Sequence, residues 1–507
     1  MKGYMFLRAI RPSPLVRDLA TTGLTSVVSA VMAVVMIRVL AQGLLQDQFG
    51  AYSLARRLMA IVAAVAGVSM GVAIPRYIAM AEDTPTRDSY LVSGFMLGLV
   101  PSVLIFVVGM IFEEPLTRLI FRDDMYQGLF RATLWLLVGY SLFNVVYALY
   151  RGMNRMGRAN LWQIAVSALG PMMVAIVFAR IGRADLIVAI FAGLMWCALV
   201  PVAFYTVRAL IRSRHRMTLV PALQRFVRYG LPRVPAGFAL AGLFAFGPVL
   251  APYFGSMKDA GYLAAGQSIL RVVEGGVVAF GLVALPRLAQ LVARDQQATV
   301  RNAVENIIAF VLHLGLFGTL HGLLWTDEVV LGLLGTQYVQ ATPIMRMVIL
   351  ALVPYLGYVM LRSVVDAVEV KAINTVNLFI ALTVALIVGC LAAMTGLGAM
   401  GLAIGTAVGF LVLGACTIYY LGSVYRFSWR ELRLWQVVPL NAGLFVLGLL
   451  LKLGLQSRLH GLPMLACAAA AVVGMGLLYV FVLWRFRVSW VVELESRVMA
   501  DGWRKRD

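Results

Sequence analysis

The chain has 507 residues, 62% hydrophobic and only 13% charged, with a formal net charge of +20 and a mean hydropathy of +0.89. Soluble chains carry about 25% charged residues, so a water-soluble fold is excluded; apolar runs near span length recur along almost the whole chain, each able to cross a bilayer as a helix. In a soluble protein such an excess of cations would point to nucleic acid, but here the arginines lie mainly in loops between apolar runs, where topology accounts for them and no nucleic-acid partner is expected.

The start, MKGYMFLRAIRPSPLVRDLA, is basic and is not followed by a small-residue cleavage site, so it reads as a cytoplasmic tail rather than a signal peptide. Fourteen spans are expected, at roughly 18–43, 48–74, 88–112, 131–150, 161–179, 184–207, 231–254, 260–285, 303–325, 343–361, 374–395, 399–422, 434–454 and 463–484. With the N-terminus inside, about 29 Lys and Arg fall in cytoplasmic segments, about 8 in external ones and about 6 within spans, which supports cytoplasmic N- and C-termini. The most basic loop, RALIRSRHRM followed by LQRFVRYG, joins spans six and seven. The external segments EEPLTRLIFRDDMYQGLFR and TDEVVLGLLGTQYVQAT are too short to fold as a catalytic domain, so the chain is not expected to be an enzyme. The tail WRFRVSWVVELESRVMADGWRKRD reads equally as an amphipathic helix on anionic lipid or as a solvated tail. Cys197, Cys390, Cys416 and Cys467 fall in apolar runs without metal-ligand spacing. They are expected to be buried small apolar residues, with no metal site and no disulfide.

An internal duplication organises the chain. Residues 49–76 read FGAYSLARRLMAIVAAVAGVSMGVAIPR and residues 260–287 read AGYLAAGQSILRVVEGGVVAFGLVALPR. Gly50 maps onto Gly261 and Pro75 onto Pro286, an offset of 211 that also maps Val16-Arg17 onto Val227-Arg228 and Arg151 onto Arg362. The offset holds an even number of spans, so the copies are parallel and related by an axis along the membrane normal. The expected organisation is all-α: a six-helix bundle over 1–213, a second over 214–428, and two appended helices with a tail over 429–507.

Ionisable groups inside spans cost about 2.5–3.5 kcal/mol each on insertion scales and are functional candidates by default. They are Arg38 in span one, Arg56 and Arg57 in span two, Arg233 in span seven, Arg271 and Glu274 in span eight, and Arg346 in span ten. Under the offset Arg271 maps three residues beyond Arg57, so the two can share a face of corresponding helices. Snorkelling to headgroups is an equal reading for Arg38, Arg233 and Arg346, and stays open for Arg56. A purely structural ion pair stays open for Arg271 and Glu274. Arg76 and Arg287 close their spans as topology anchors or inner-gate residues. His313 and His321 in span nine read as neutral buried or interfacial histidines in preference to a proton relay, and Asp366 and Glu369 as solvated loop acids. Gly401, Gly405 and Gly409 repeat every four residues, a pattern for close helix packing.

A cavity lined by arginine, with few carboxylates to neutralise it, suits an anion. Guanidinium forks match phosphate oxygens bidentately, which favours a phosphate or pyrophosphate headgroup. The runs MIRVLAQGLLQDQFGAYSLARRL, VAIPR, YGLPRVPAGFA and YRGMNRMGRAN together resemble polysaccharide-biosynthesis flippases of the multidrug/oligosaccharidyl-lipid/polysaccharide (MOP, MATE-like) exporter superfamily. That resemblance covers spans one to twelve and implies two six-helix bundles around a V-shaped cavity. It also implies transfer of a polyprenyl-pyrophosphate-linked oligosaccharide from the cytoplasmic to the periplasmic leaflet of a bacterial inner membrane. On it, Arg57 and Arg271, with Arg38 and Arg56, are the expected substrate-binding residues. Glu274 is the candidate carrier of a coupling ion (H+ or Na+), and no other cofactor is expected. Membrane lipids, a polysaccharide polymerase and assembly proteins are the expected partners. Arg57 with the Arg271-x-x-Glu274 pattern is also similar to lipid II flippases, although the start of span one departs from that branch. A lipid II flippase and a MATE-type cation-coupled drug exporter remain the alternatives. A membrane glycosyltransferase is disfavoured by the absence of a long acidic external loop.

Overall fold

The computed structural model describes residues 14–67, 70–213, 218–293, 296–368, 371–426, 434–457, 459 and 461–485. Residues 1–13 and 486–507, which hold most of the two tails, and Glu369 lie outside the described residues. Every regular element among those residues is a helix. Ten helical stretches are long and apolar enough to cross a membrane, or eleven if Thr336–Ile349 and Leu352–Asp366, bent by 47°, form one span. The chain is a multi-pass membrane protein.

The duplication is visible in the order of the elements. Adding 211 to the bounds of α4 (Thr84–Ile111), α5 (Glu113–Phe121) and α9 (Ala184–Ser213) gives 295–322, 324–332 and 395–424; the chain has α13 (Gln297–Leu324), α14 (Thr326–Leu333) and α18 (Gly398–Tyr425). The two segments expected to be external therefore each contain a short helix. Both start with paired acids, Glu113-Glu114 and Asp327-Glu328, which favour the positive end of a helix dipole. Span two is also divided, into α2 (Gln46–Ala66) and α3 (Met70–Ala79). Gly67 caps the first piece, its N–H bonding to Ala63 O, and glycine is a poor helix former.

Two compact units emerge. The first comprises residues up to Ala245 together with Arg271–Val283. At its centre lies α6 (Gln127–Gly152), buried on most of its circumference, which explains why its sequence shows no polar face. Small residues admit its neighbours: a Cβ on Gly98 would stand 2.6 Å from Val145 Cγ2, and one on Gly152 2.8 Å from Ile78 Cβ. α10 (Leu219–Gly230) buries Ala222 and Phe226 among Ile74, Tyr90 and Ala148. It is pinned to α4 by Ser93 Oγ donating to Leu219 O at 3.3 Å. Beside it the Arg212 guanidinium donates to both oxygens of Asp88, at 2.8 and 2.7 Å.

The second unit comprises Phe246–Leu270 and the chain from Ala284 onward. Its tightest packing is a hairpin of α17 (Ile373–Ala392) and α18, reversed where Gly396 and Gly398 take positive φ of 95° and 50°. A Cβ on Gly405 would lie 2.5 Å from Gly389 Cα, and one on Gly401 would collide with the Ala392–Ala393 backbone, so the four-residue glycine period does set a close helix contact. Gly405→Ala is expected to destabilise the protein by about 1–3 kcal/mol through overpacking, read as a lower unfolding midpoint in detergent. Gly443→Ala, where a Cβ meets nothing within 4 Å, serves as the neutral control.

The helices expected to be appended, α19 (Leu434–Gln456) and α20 (Leu462–Arg485), are held by buried polar contacts. The Tyr479 hydroxyl sits 2.8 Å from His313 Nδ1 and accepts from Asn441 Nδ2 at 2.8 Å. His321 is buried with its ring 4.3 Å from that of Phe317. Both histidines are thus core residues, as the sequence reading favours. Asp366 is exposed, as that reading has it, but it lies in α16 (Leu352–Val368) rather than in a loop and accepts from Asn374 Nδ2 at 2.7 Å. The cysteines depart too, since Cys197 is exposed and the other three are half-buried. In lipid an apolar side chain gains nothing by turning from acyl chains to protein, so apolar character does not predict burial here.

Candidate functional site

Within the first unit, α2 carries the two adjacent arginines. Its face from Phe49 to Ala55 is buried, while Arg56 and Arg57 are half-buried beside it. Successive helical residues diverge by about 100°, so the two cations take different neighbours. The Arg56 guanidinium lies 5.8 Å from the centre of the Phe191 ring, and the Arg57 guanidinium 5.8 Å from that of Phe244. Arg56 Nη1 is buried without a hydrogen-bond partner among the described residues.

α11 (Val234–Phe254) supplies Phe244 and α12 (Met257–Ala293) supplies Arg271 and Glu274. Gly237 brings α11 to α2, its Cβ position 3.8 Å from Ala64 Cβ, and Gly275 brings α12 to α1 (Pro14–Gly43), 3.5 Å from Ala30 Cβ. Arg271 stacks on Phe244 at 3.9 Å, and its Nη1 donates to Glu274 Oε2 at 3.0 Å. The i,i+3 spacing puts the pair on one face. Its side chains are 40% and 12% exposed, so the guanidinium is open on one side while its carboxylate partner is enclosed.

One buried aromatic ring therefore gathers the two arginines that the sequence comparison of the copies brings into register. Cations near a ring face are held by its quadrupole at about 0.5–2 kcal/mol. Two guanidiniums gathered at one ring repel each other, a cost that a bound anion offsets. Arg271 has five N–H donors, and Glu274 engages one nitrogen of the fork, leaving donors able to meet phosphoryl oxygens.

Of the remaining candidates, Arg76, Arg233 and Arg346 have partners outside this group. Arg38 is half-buried on α1. Arg76 is exposed and lies 4.8 Å from the Tyr229 ring centre; the Arg287 side chain lies outside the described residues. Arg233 also stacks on Tyr229, at 3.9 Å, and donates to its carbonyl, whereas Arg346 pairs with Asp327 at 2.9 Å. Among the described residues no group of three or more His, Cys, Asp or Glu has the arrangement to hold a metal.

Sequence reading missed Phe244. It is one of 25 phenylalanines inside an apolar helix, and the offset pairs it with Ala33, so neither composition nor repeat marks it. The aromatic group of Tyr77, Tyr90, Phe226 and Tyr229, with ring centroids 5.5–5.8 Å apart, was equally silent, because its members come from segments far apart in sequence.

Comparison with known proteins places these features in context. The family model described as polysaccharide biosynthesis protein matches residues 15–292. No curated protein matches the chain in sequence. The structure is similar to that of the lipid II flippase MurJ in an inward closed conformation, with a TM-score of 0.67, 12% identity, and coverage of 93% of this chain and 99% of that one. It is also similar to a multidrug resistance MATE family transporter of the MOP superfamily, inward-facing (TM-score 0.63, 15% identity, 77% and 93% covered). A MATE protein in complex with MaD3S gives a TM-score of 0.55 at 17% identity, with 83% and 97% covered. At these identities the likeness is one of fold.

Proposed function

Because the chain belongs to the family of polysaccharide biosynthesis proteins, we propose that it is a flippase, not an enzyme. It carries polyprenyl-pyrophosphate-linked oligosaccharide repeat units from the cytoplasmic to the periplasmic leaflet of a bacterial inner membrane. The observation that carries this reading is the convergence of Arg57 and Arg271 on the Phe244 ring. It supports a cationic receptor for pyrophosphate and opposes the organic-cation chemistry of a drug exporter. In this reading fourteen spans form two six-helix bundles, over 1–213 and 214–428, with two further helices over 429–507, and both termini are cytoplasmic. Arg57 and Arg271 grip the pyrophosphate, Arg56 and Arg38 add positive field, and Arg76 and Arg287 stand at the inner gate. The sugars occupy aqueous space while the prenyl chain stays in lipid.

Alternating access supplies the movement. Outward transfer of a negative headgroup is driven by an inside-negative potential, downhill by about 2.3 kcal/mol per charge per 100 mV, and the same field draws the emptied cationic site back. Glu274, hydrogen-bonded to Arg271, is the proposed carrier of a coupling ion, H+ or Na+: neutralising it releases Arg271 for the substrate. A polysaccharide polymerase and assembly proteins are the proposed partners. The test uses proteoliposomes containing a fluorescent polyprenyl-pyrophosphate oligosaccharide, with the outward-exposed fraction read by lectin quenching. Protein-dependent transfer that sugar-free polyprenyl pyrophosphate inhibits and tetraphenylphosphonium does not is the expected result. Transport of tetraphenylphosphonium with no movement of the glycolipid would overturn it.

A further inference from the structure

A second concave site lies in the first unit, away from the Arg57–Arg271 group. It is a cavity of about 820 Å³ whose lining includes Tyr77, Tyr90, Tyr229, Arg228, Glu82 and Asp83. That volume falls within the ~300–1,000 Å³ of small-molecule sites. Its chemistry is mixed rather than cationic. Arg225 and Arg228 face the cavity with Glu82 and Asp83, so the formal charges of the lining itself cancel. Half-buried Tyr77 and Tyr229 supply ring surface to the lining, and packing fixes them: Tyr77 stacks on buried Tyr90 at 5.5 Å and meets Tyr229 edge-on at 5.8 Å. The polar groups are held in place, with Arg225 Nη1 donating to Tyr90 Oη at 2.6 Å and Asp83 Oδ1 accepting from Thr86 N–H at 3.0 Å as the N-cap of α4.

We propose that this cavity binds neutral sugar residues of the transported headgroup, and so selects the oligosaccharide, while the arginine pair binds its pyrophosphate. Aromatic faces suit the C–H faces of pyranose rings, and fixed guanidinium and carboxylate groups suit neighbouring hydroxyls, which donate and accept at once. A site built to hydrogen-bond hydroxyls rejects analogues lacking them far more strongly than an apolar pocket does. The duplication supplies an independent argument. The offset pairs Tyr77 and Tyr90 of the first copy with Leu288 and Arg301, and Tyr229 of the second with Asp18. Neither copy repeats the aromatic set at the matching positions of the other, so the duplicated fold does not require it.

This inference rests on the flippase reading, and the test separates the two. Full-length protein in detergent is titrated calorimetrically with two probes. One is sugar-free polyprenyl pyrophosphate; the other is the free oligosaccharide released by mild acid from the cell's own lipid-linked precursor. The free oligosaccharide is expected to bind the wild-type protein saturably, undisplaced by inorganic pyrophosphate, and at least ten-fold more weakly after Tyr77→Leu or Glu82→Gln. Glu82 is exposed, so its isosteric variant keeps the test meaningful if Tyr77→Leu perturbs folding. No oligosaccharide binding, unchanged affinity in both variants, or displacement by pyrophosphate overturns the sugar site. Failure of the wild-type protein to bind polyprenyl pyrophosphate overturns the flippase reading instead.

Discussion

Arg271→Ala is expected to lower affinity for a polyprenyl-pyrophosphate substrate at least about thirty-fold and to abolish transport, with Arg57→Ala acting alike. Truncating one partner of a desolvated charge pair costs about 2–5 kcal/mol, and each 1.4 kcal/mol is tenfold in affinity. Arg271 is the stronger test because it stacks closest on Phe244, at 3.9 Å against 5.8 Å for Arg57. Arg271→Lys separates geometry from charge: lysine keeps the cation but loses the planar fork and its ring contact, so partial activity is expected. Binding measured beside transport, with expression as a control, decides the matter. Near-normal glycolipid binding in both alanine variants would remove these arginines from the site.

Glu274 gives the same experiment a second arm. Its carboxylate engages Arg271 at 3.0 Å and is only 12% exposed, so it competes with a substrate phosphate for one guanidinium. A structural ion pair predicts that Glu274→Gln merely destabilises the protein. A coupling role predicts intact or tighter pyrophosphate binding together with transport that no longer responds to an imposed proton or sodium gradient.

The repeat and the i,i+3 pair were legible because both are regularities along the chain. The offset of 211 that aligns Gly50 with Gly261 also reproduces α4, α5 and α9 as α13, α14 and α18. Arg271 and Glu274 share a face by helix geometry alone. The partners of the arginines were not legible, since an apolar span does not reveal which of its rings faces protein and which faces lipid. Phe244, 1% exposed, and Phe379, 38% exposed, look alike in sequence. Helical divergence already separates Arg56 from Arg57, yet only the packing of α9 assigns Phe191 to the first. The helices α5 and α14 were not legible as elements, because nine and eight residues lack the length that marks a span.

Lys452→Met is expected to destabilise the protein by about 3–5 kcal/mol, the cost of leaving a buried charge without its partner. In sequence Lys452 is one cation near the end of an apolar run. In the structure its side chain is 9% exposed, against 8% for Glu328, and the two are 2.9 Å apart. Its Nζ also donates to Leu324 O at 2.6 Å and lies 5.5 Å from the centre of the Trp325 ring. Leu324 ends α13, where carbonyls lack helical partners, and Glu328 sits in the first turn of α14. One ammonium thus answers the negative end of one helix and an acid at the positive end of the next. That contact docks α19 onto the junction, so the last two helices are built into the second unit. The double variant Lys452→Met/Glu328→Gln removes both charges and is expected to recover part of the loss, because no uncompensated ion remains. Equilibrium unfolding in detergent reads the difference. A single variant within about 1 kcal/mol of wild type, the range of exposed pairs, would mean that the pair is solvated and that α19 is held by apolar packing alone.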